Sequence, residues 1–431
     1  MSYCPRCGAR NSVDARVCIK CNGVMSVRKT VDSHKEVRPT ASTSTSESVI
    51  DDPTVPSAST LHSHSSTSAT SPDVGRNVFG RFFDWLNNYV GNSGPAELNW
   101  RSLFSAVAIP HSREQAEEIF TVGTPLTTPD PKTVCDTWPK PWLYSRILLW
   151  ALITYGLLYF TVSWLGGLIS YPGLVVIGSF AVPIAILVLF FELNVWRNIS
   201  FYRVTGMFFI GGCASIIATI ILNVLRSAQT SQELTYISAC CVGFTEELAK
   251  AIMVLLFMKI SLRSPSRILN GMLVGAAVGA GFAAFESSGY AFSDVIKAVA
   301  LLGALVEAVV KNNMQVIQAV IEEIQKIQII GSANVSVLLR GILAPGGHVA
   351  WAAILGAAFS IIAKTEHLKM AALWDGKFWR LAMIPVVLHA VWDMPFQLPF
   401  MGKYIGLILG AWTVLLFLVN RGLSEIKQES K

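Results

Sequence analysis

Seven side chains able to do chemistry stand inside long apolar runs. They are Glu246, Glu247 and Lys250 in "FTEELAK", Glu286 in "FAAFE", His348 in "GGHVAW", and His389 with Asp393 in "HAVWD". An ionisable group at the centre of a membrane-length segment costs roughly 2.5 to 3.5 kcal/mol on insertion scales, and such groups usually mark functional sites. Two hydrolytic chemistries fit these residue types. Glu and His can hold a catalytic zinc with an open position for water, another glutamate serving as base. Alternatively, a glutamate activates water directly while histidine stabilises the developing oxyanion. Either would hydrolyse a peptide bond inside the membrane. A proton-coupled transporter could use the same buried Glu and His residues, and an inactive membrane scaffold is a third reading.

Helix geometry sorts the roles. Glu246 and Glu247 lie about 100° apart around a helix axis, so they are expected to face different partners. Lys250 is at i+4 from Glu246 and i+3 from Glu247, within reach of either carboxylate. Gly243, one turn before Glu247, leaves room for a close neighbour. The stretch "GAAVGAGFAAFESSGY" repeats small residues at the spacing that suits close helix packing, with Glu286 set against it. Pro345 and Gly346–Gly347 loosen the chain just before His348. His389 and Asp393 share a helix face, where the carboxylate could orient the imidazole.

The elements that must position these groups are membrane helices. The chain has 431 residues, 52% hydrophobic and 14% charged, with a mean hydropathy of +0.49. Soluble domains carry about 25% charged residues. The net charge of +6 is read as basic cytoplasmic loops, with no nucleic-acid partner expected. Eight segments approach the roughly 20 apolar residues a crossing requires: 147–169, 174–191, 204–224, 234–257, 268–292, 338–362, 379–395 and 404–419. The expected fold is therefore an all-α polytopic membrane protein of about eight transmembrane helices. Basic residues collect in alternate loops: Arg197 and Arg203, then Lys259, Arg263 and Arg267, then Lys364, Lys369, Lys377 and Arg380. That alternation predicts a multi-pass protein of the cell membrane with both termini cytoplasmic. No apolar core of signal-peptide length opens the sequence, so internal spans are expected to direct insertion. Residues 293–337 read as one or two amphipathic helices on the outer side, with a ninth span or re-entrant hairpin as the competing reading.

Five regions follow. Residues 1–24 read as a zinc ribbon, because Cys4, Cys7, Cys18 and Cys21 form two C-x2-C knuckles that can supply four thiolates. Such a site has no open position, so its zinc is structural, and the ribbon is expected to dock a protein partner or the chain itself. Residues 25–75 read as a disordered Ser/Thr-rich linker. Residues 76–143 read as a cytoplasmic amphipathic and soluble helical region. In it "VFGRFFDWLNNYV" places its aromatic face on the membrane surface or on the protein's own helices. Residues 144–420 form the transmembrane domain, and 421–431 a cytoplasmic tail. Cys135, Cys213, Cys240 and Cys241 are expected as small buried hydrophobes.

Taken together, "EELAK", "FAAFE", "HVAW" and "HAVWD", in that order on successive spans, resemble the PrsW family of intramembrane proteases, relatives of the CAAX-protease-like membrane enzymes. The resemblance covers about 145 to 420. It implies cleavage of membrane-anchored proteins, in that family typically an anti-sigma factor or similar regulator, within the lipid bilayer. Members are usually described as metalloproteases, although a metal-free glutamate mechanism is argued for relatives. Carried over, Glu246 and Glu247 are the core pair, with Glu286, His348 and His389 as partners or ligands of a catalytic zinc. Lys250 and Asp393 support them. One of the two adjacent glutamates would be the water-activating base, and both remain candidates. The long 293–337 stretch departs from the family and could guide substrate access.

Overall fold

The computed structural model describes residues 2–3, 10–11, 78–92, 98–225, 235–261, 267–330, 339–363 and 374–429. The four ribbon cysteines and the 25–75 linker lie outside the described residues. Apart from the two-residue strands β1 (Ser2–Tyr3) and β2 (Arg10–Asn11), paired antiparallel, the described chain is helices and their connections.

Three helices precede the apolar region: α1 (Val78–Val90), α2 (Ser102–Ser105) and α3 (Arg113–Phe120). Nine follow. These are α4 (Leu143–Ser163), α5 (Tyr171–Leu193), α6 (Phe201–Leu225), α7 (Tyr236–Ser261), α8 (Ile268–Val310), α9 (Met314–Ile330), α10 (His348–Ala363), α11 (Gly376–Asp393) and α12 (Gly402–Glu429). Five stretches are long and apolar enough to cross a membrane: α4, α5, α6, Leu339–Ala363 and Pro399–Lys427. The other three expected spans are α7, α8 and α11, the helices that carry the acidic groups and His389. None of the apolar window of α4 is buried in the protein, which leaves that helix a lipid-facing surface.

The centre of the bundle is the seam between α8 and α10, the most extensive helix pair. It is close because the small residues recur every four positions. A Cβ at Gly271, Gly275 or Gly279 would run into the backbone of Gly356, Ala352 or His348 respectively. Such contact replaces the hydrophobic driving force that helices lack among lipid tails. Gly243 does the same between α7 and α11, where a Cβ would lie 2.8 Å from the Ala390 nitrogen. On the other side, α5 ends in Glu192, which serves α4. Its Oε1 accepts from the backbone N–H groups of Trp142 (2.9 Å) and Leu143 (3.0 Å), and its Oε2 from Tyr144 (3.0 Å). These include the first N–H groups of α4, which a helix cannot satisfy internally.

One expectation is corrected: Cys135, Cys213, Cys240 and Cys241 are not buried within the protein, and Cys213 and Cys240 are exposed on its surface. The helix of the fifth expected span runs past 292, since α8 continues without a break to Val310, and 43 residues at 1.5 Å each make about 65 Å, twice a hydrocarbon core. Its last turns and α9 fold back on each other through Asn312, whose φ is 53°. The start of the expected cytoplasmic tail is helical and packed. α12 continues to Glu429, buries Leu423 and Ile426, and Glu425 Oε2 accepts from the Ile268 N–H at 3.1 Å. The aromatic helix α1 uses both faces the sequence offered. Leu86 and Val90 are buried, Phe83 stacks on Phe417 of α12 and Arg421 bonds the Val90 carbonyl, while Phe79, Phe82 and Trp85 stay exposed.

Candidate active site

Four helices deliver the seven side chains to one cluster. Glu246, Glu247 and Lys250 come from α7, Glu286 from α8, His348 from the first residue of α10, and His389 and Asp393 from α11. His348 owes its place to the broken chain before it. A 3-10 turn at Ala344–Gly346 ends in Gly347, and the Pro345 carbonyl is held by the Trp412 indole at 2.9 Å. Close approach at Gly243 and Gly279 brings α11 and α10 against α7 and α8 at this level.

The adjacent glutamates, expected to face different partners, share two: both face Lys250, and they meet different nitrogens of His389. Glu247, 1% exposed, accepts on Oε1 from Lys250 Nζ at 2.6 Å and from His389 Nδ1 at 2.9 Å. Glu246 lies farther from the ammonium, at 4.0 Å, and its Oε2 has no hydrogen-bond partner although it is buried. Lys250 is itself wholly buried, over the Phe282 ring at 4.4 Å, and bonds His348 Nδ1 at 2.8 Å. His348 Nε2 meets Glu286 Oε2 at 3.0 Å, and the same oxygen accepts from Arg340 Nη2 at 2.6 Å. The two imidazoles pack edge to face at 5.1 Å, with Trp351 stacked on His389 at 4.6 Å.

Donor and acceptor rules fix the tautomers of this array. An ionised carboxylate only accepts, so His389 donates its Nδ1–H to Glu247. Its Nε2 faces Glu246 Oε2 at 3.6 Å and Asp393 Oδ2 at 3.4 Å. An imidazolium would donate its second N–H there; a neutral ring would leave three acceptors facing one another, open to a cation. An ammonium only donates, so His348 accepts from Lys250 and offers Nε2–H to Glu286.

A model of the PrsW family of intramembrane metalloproteases matches residues 195–419, just over half of the chain. The chain belongs to that family. No curated protein and no solved structure matches it. As a PrsW protein it is a hydrolase, an intramembrane protease acting on membrane-anchored substrates in the bilayer, and the transporter reading falls away.

The family name implies a metal, and the residues present fit one. Ligand atoms of Glu246, His348 and His389 lie within 4.8 Å of one another. The facing acceptors and the unpartnered Glu246 Oε2 are what a cation would satisfy. The Nδ1–H of His389 on Glu247 is the carboxylate–histidine support that metal-binding imidazoles use. This donor set differs from the one carried over by resemblance, in which Glu286 stood with the two histidines. Glu286 is instead occupied by Arg340 and His348. His348 is engaged on both nitrogens, so holding a metal requires it to release Lys250 or Glu286.

Sequence reasoning did not find Arg340, nor the bond between Lys250 and His348. A lone base at the start of an apolar span, eight residues before His348, was the available signal for the first. The second depends on the depth at which α7 and α10 cross, which no spacing within one helix encodes.

Proposed function

We propose that this PrsW protein cuts a membrane-anchored regulatory protein with the Glu246–His348–His389 cluster as its catalytic centre. The observation supporting this is the set of mutually facing acceptors around His389 Nε2. Glu246, which stands 4.0 Å from Lys250 while Glu247 is held by Lys250 at 2.6 Å and His389 at 2.9 Å, is the member of the adjacent pair that takes the proton of the attacking water. Glu247 positions: it holds His389 in one tautomer and neutralises Lys250. His348 and His389 face the scissile carbonyl, and Trp351 and Phe282 wall off lipid on their flanks. If zinc is bound, Glu246, His348 and His389 are the residues that would hold it, and the metal would supply carbonyl polarisation and a water of lowered pKa, with Glu246 then a ligand in place of the base.

Water has a route to the cluster. A polar cleft of about 540 Å³ opens beside Asp393, lined also by Arg340, Trp392, Gln397, Lys403 and Tyr404. With both termini cytoplasmic, this cleft faces the outer side, and the ribbon of Cys4, Cys7, Cys18 and Cys21 presents a structural zinc to cytoplasmic partners. The test is cleavage of a single-span reporter in liposomes by the full chain and by alanine variants at Glu246, His348 and His389. Each variant is expected to lose cleavage while staying folded. In a background with the four ribbon cysteines replaced, each is also expected to lose its remaining bound zinc. Cleavage that survives all three changes overturns the assignment.

A further inference from the structure

Glu286 and Arg340 are 54 residues apart in sequence, and they bracket the stretch read from the sequence as an excursion on the outer side. Between them lie the overlong end of α8 and the whole of α9. The pair closes the base of that excursion. Arg340 Nη2 bonds Glu286 Oε2 at 2.6 Å, Nε bonds Ser287 Oγ at 3.1 Å, and the guanidinium lies over the Tyr290 ring at 4.6 Å. Three contacts on consecutive turns of one helix fix a planar fork in one orientation, which a point charge could not do. The clasp is also one bond from the catalytic cluster, because the carboxylate oxygen that takes Arg340 is the one that meets His348 Nε2 at 3.0 Å.

We propose that Arg340 is a positioning residue of the protease: it holds Glu286 against His348 and so ties the α8–α9 excursion to the catalytic centre. This rests on the cluster being the site of cleavage. Arg340 touches none of the groups that face the scissile bond, and acts through Glu286. It also borders the polar cleft, with its side chain one-third exposed at 34%, so a substrate segment or a movement of the excursion reaches the histidine through this one side chain. Without the guanidinium, Glu286 is free to turn away, and His348 loses the acceptor that fixes its ring.

The experiment measures reporter cleavage in liposomes by the wild-type chain and by Arg340→Ala, Arg340→Lys, Glu286→Gln and the Arg340→Ala/Glu286→Gln double variant. Loss of a charge-assisted hydrogen bond to a buried carboxylate predicts a kcat about ten- to a hundredfold lower in Arg340→Ala. KM is expected to change less than about twofold, because substrate binding is not what the clasp does. Arg340→Lys is expected to recover part of the loss, and free guanidinium to restore part of it in Arg340→Ala. In the Glu286→Gln background the arginine change is expected to cost less than about twofold more, since groups acting in series are not additive. Arg340→Ala with wild-type kcat, or losses that multiply in the double variant, overturns the proposal. A wild-type chain that cleaves nothing overturns the catalytic reading instead.

Discussion

Glu247→Gln isolates the interaction on which the cluster's stability rests. The substitution keeps volume and removes charge from an oxygen that takes both Lys250 at 2.6 Å and His389 at 2.9 Å. Lys250, with no exposed surface, is left as a buried ammonium whose nearest carboxylate is Glu246 at 4.0 Å. Breaking a buried pair from one side costs about 3 to 5 kcal/mol. Here His348 still accepts from the ammonium and Phe282 still lies under it, which argues for the lower end, about 3 kcal/mol or a factor of more than a hundred in the folding equilibrium. Replacing both partners, as in Glu247→Leu/Lys250→Met, leaves no uncompensated charge and is expected to fall within about 1 kcal/mol of wild type. Reversible denaturant unfolding in detergent micelles, followed by tryptophan fluorescence, measures the wild type, Glu247→Gln, Glu247→Leu, Lys250→Met and the double variant. If Glu247→Gln costs less than about 1 kcal/mol, or the double variant is as unstable as the two singles summed, Lys250 is not held by this pair and the argument fails.

Two further substitutions test how the helices are held. Gly275→Val puts a branched side chain against the Ala352 carbonyl and is expected to destabilise by about 1 to 3 kcal/mol or more, through separation of α8 from α10. Gly303→Ala, in open space on the same helix, is expected to leave the midpoint of the same unfolding titration unchanged or raise it. Glu192→Ala strips three N–H groups at the start of α4 of their acceptor and should cost about 1 to 2 kcal/mol by the same titration, on the scale of a lost helix cap.

Much of this fold could be read without coordinates because apolar length and charge placement are local. Segments 174–191 and 204–224 fall within α5 and α6, and the small-residue repeat of 275–279 became the α8–α10 seam. The adjacent glutamates do not separate as 100° per residue suggested, because Lys250 and His389 lie between them and face both. What local reasoning missed was long-range. Nothing in "SSGYAFSDVIKAVALL" says that a membrane helix should stop, and α8 does not stop. Arg340 carries no local signal of its role, because its partner Glu286 is brought to it by an excursion whose path no periodicity encodes; the bonds from Arg340 and His348 to Glu286 are likewise long-range.

The formal charges of the cluster constrain its chemistry further. When both imidazoles are neutral, Glu246, Glu247, Glu286 and Asp393 are opposed by Lys250 and Arg340 alone. With every carboxylate ionised, the site is two positive charges short of neutrality, in surroundings where uncompensated charge is costly. One divalent cation supplies that, and so do two protons. These alternatives correspond to the two hydrolytic chemistries the residue types allowed. Asp393→Asn separates them, because it removes one negative charge without touching the Glu246, His348 and His389 donors. If a divalent metal neutralises the site, the variant should bind that metal more weakly, read as a leftward shift in a chelator titration of cleavage, with less chelator needed to abolish it. If protons do, chelator should have no effect on either chain. A variant that holds its metal more tightly than wild type would show that the two missing charges are not what draws a cation to this site.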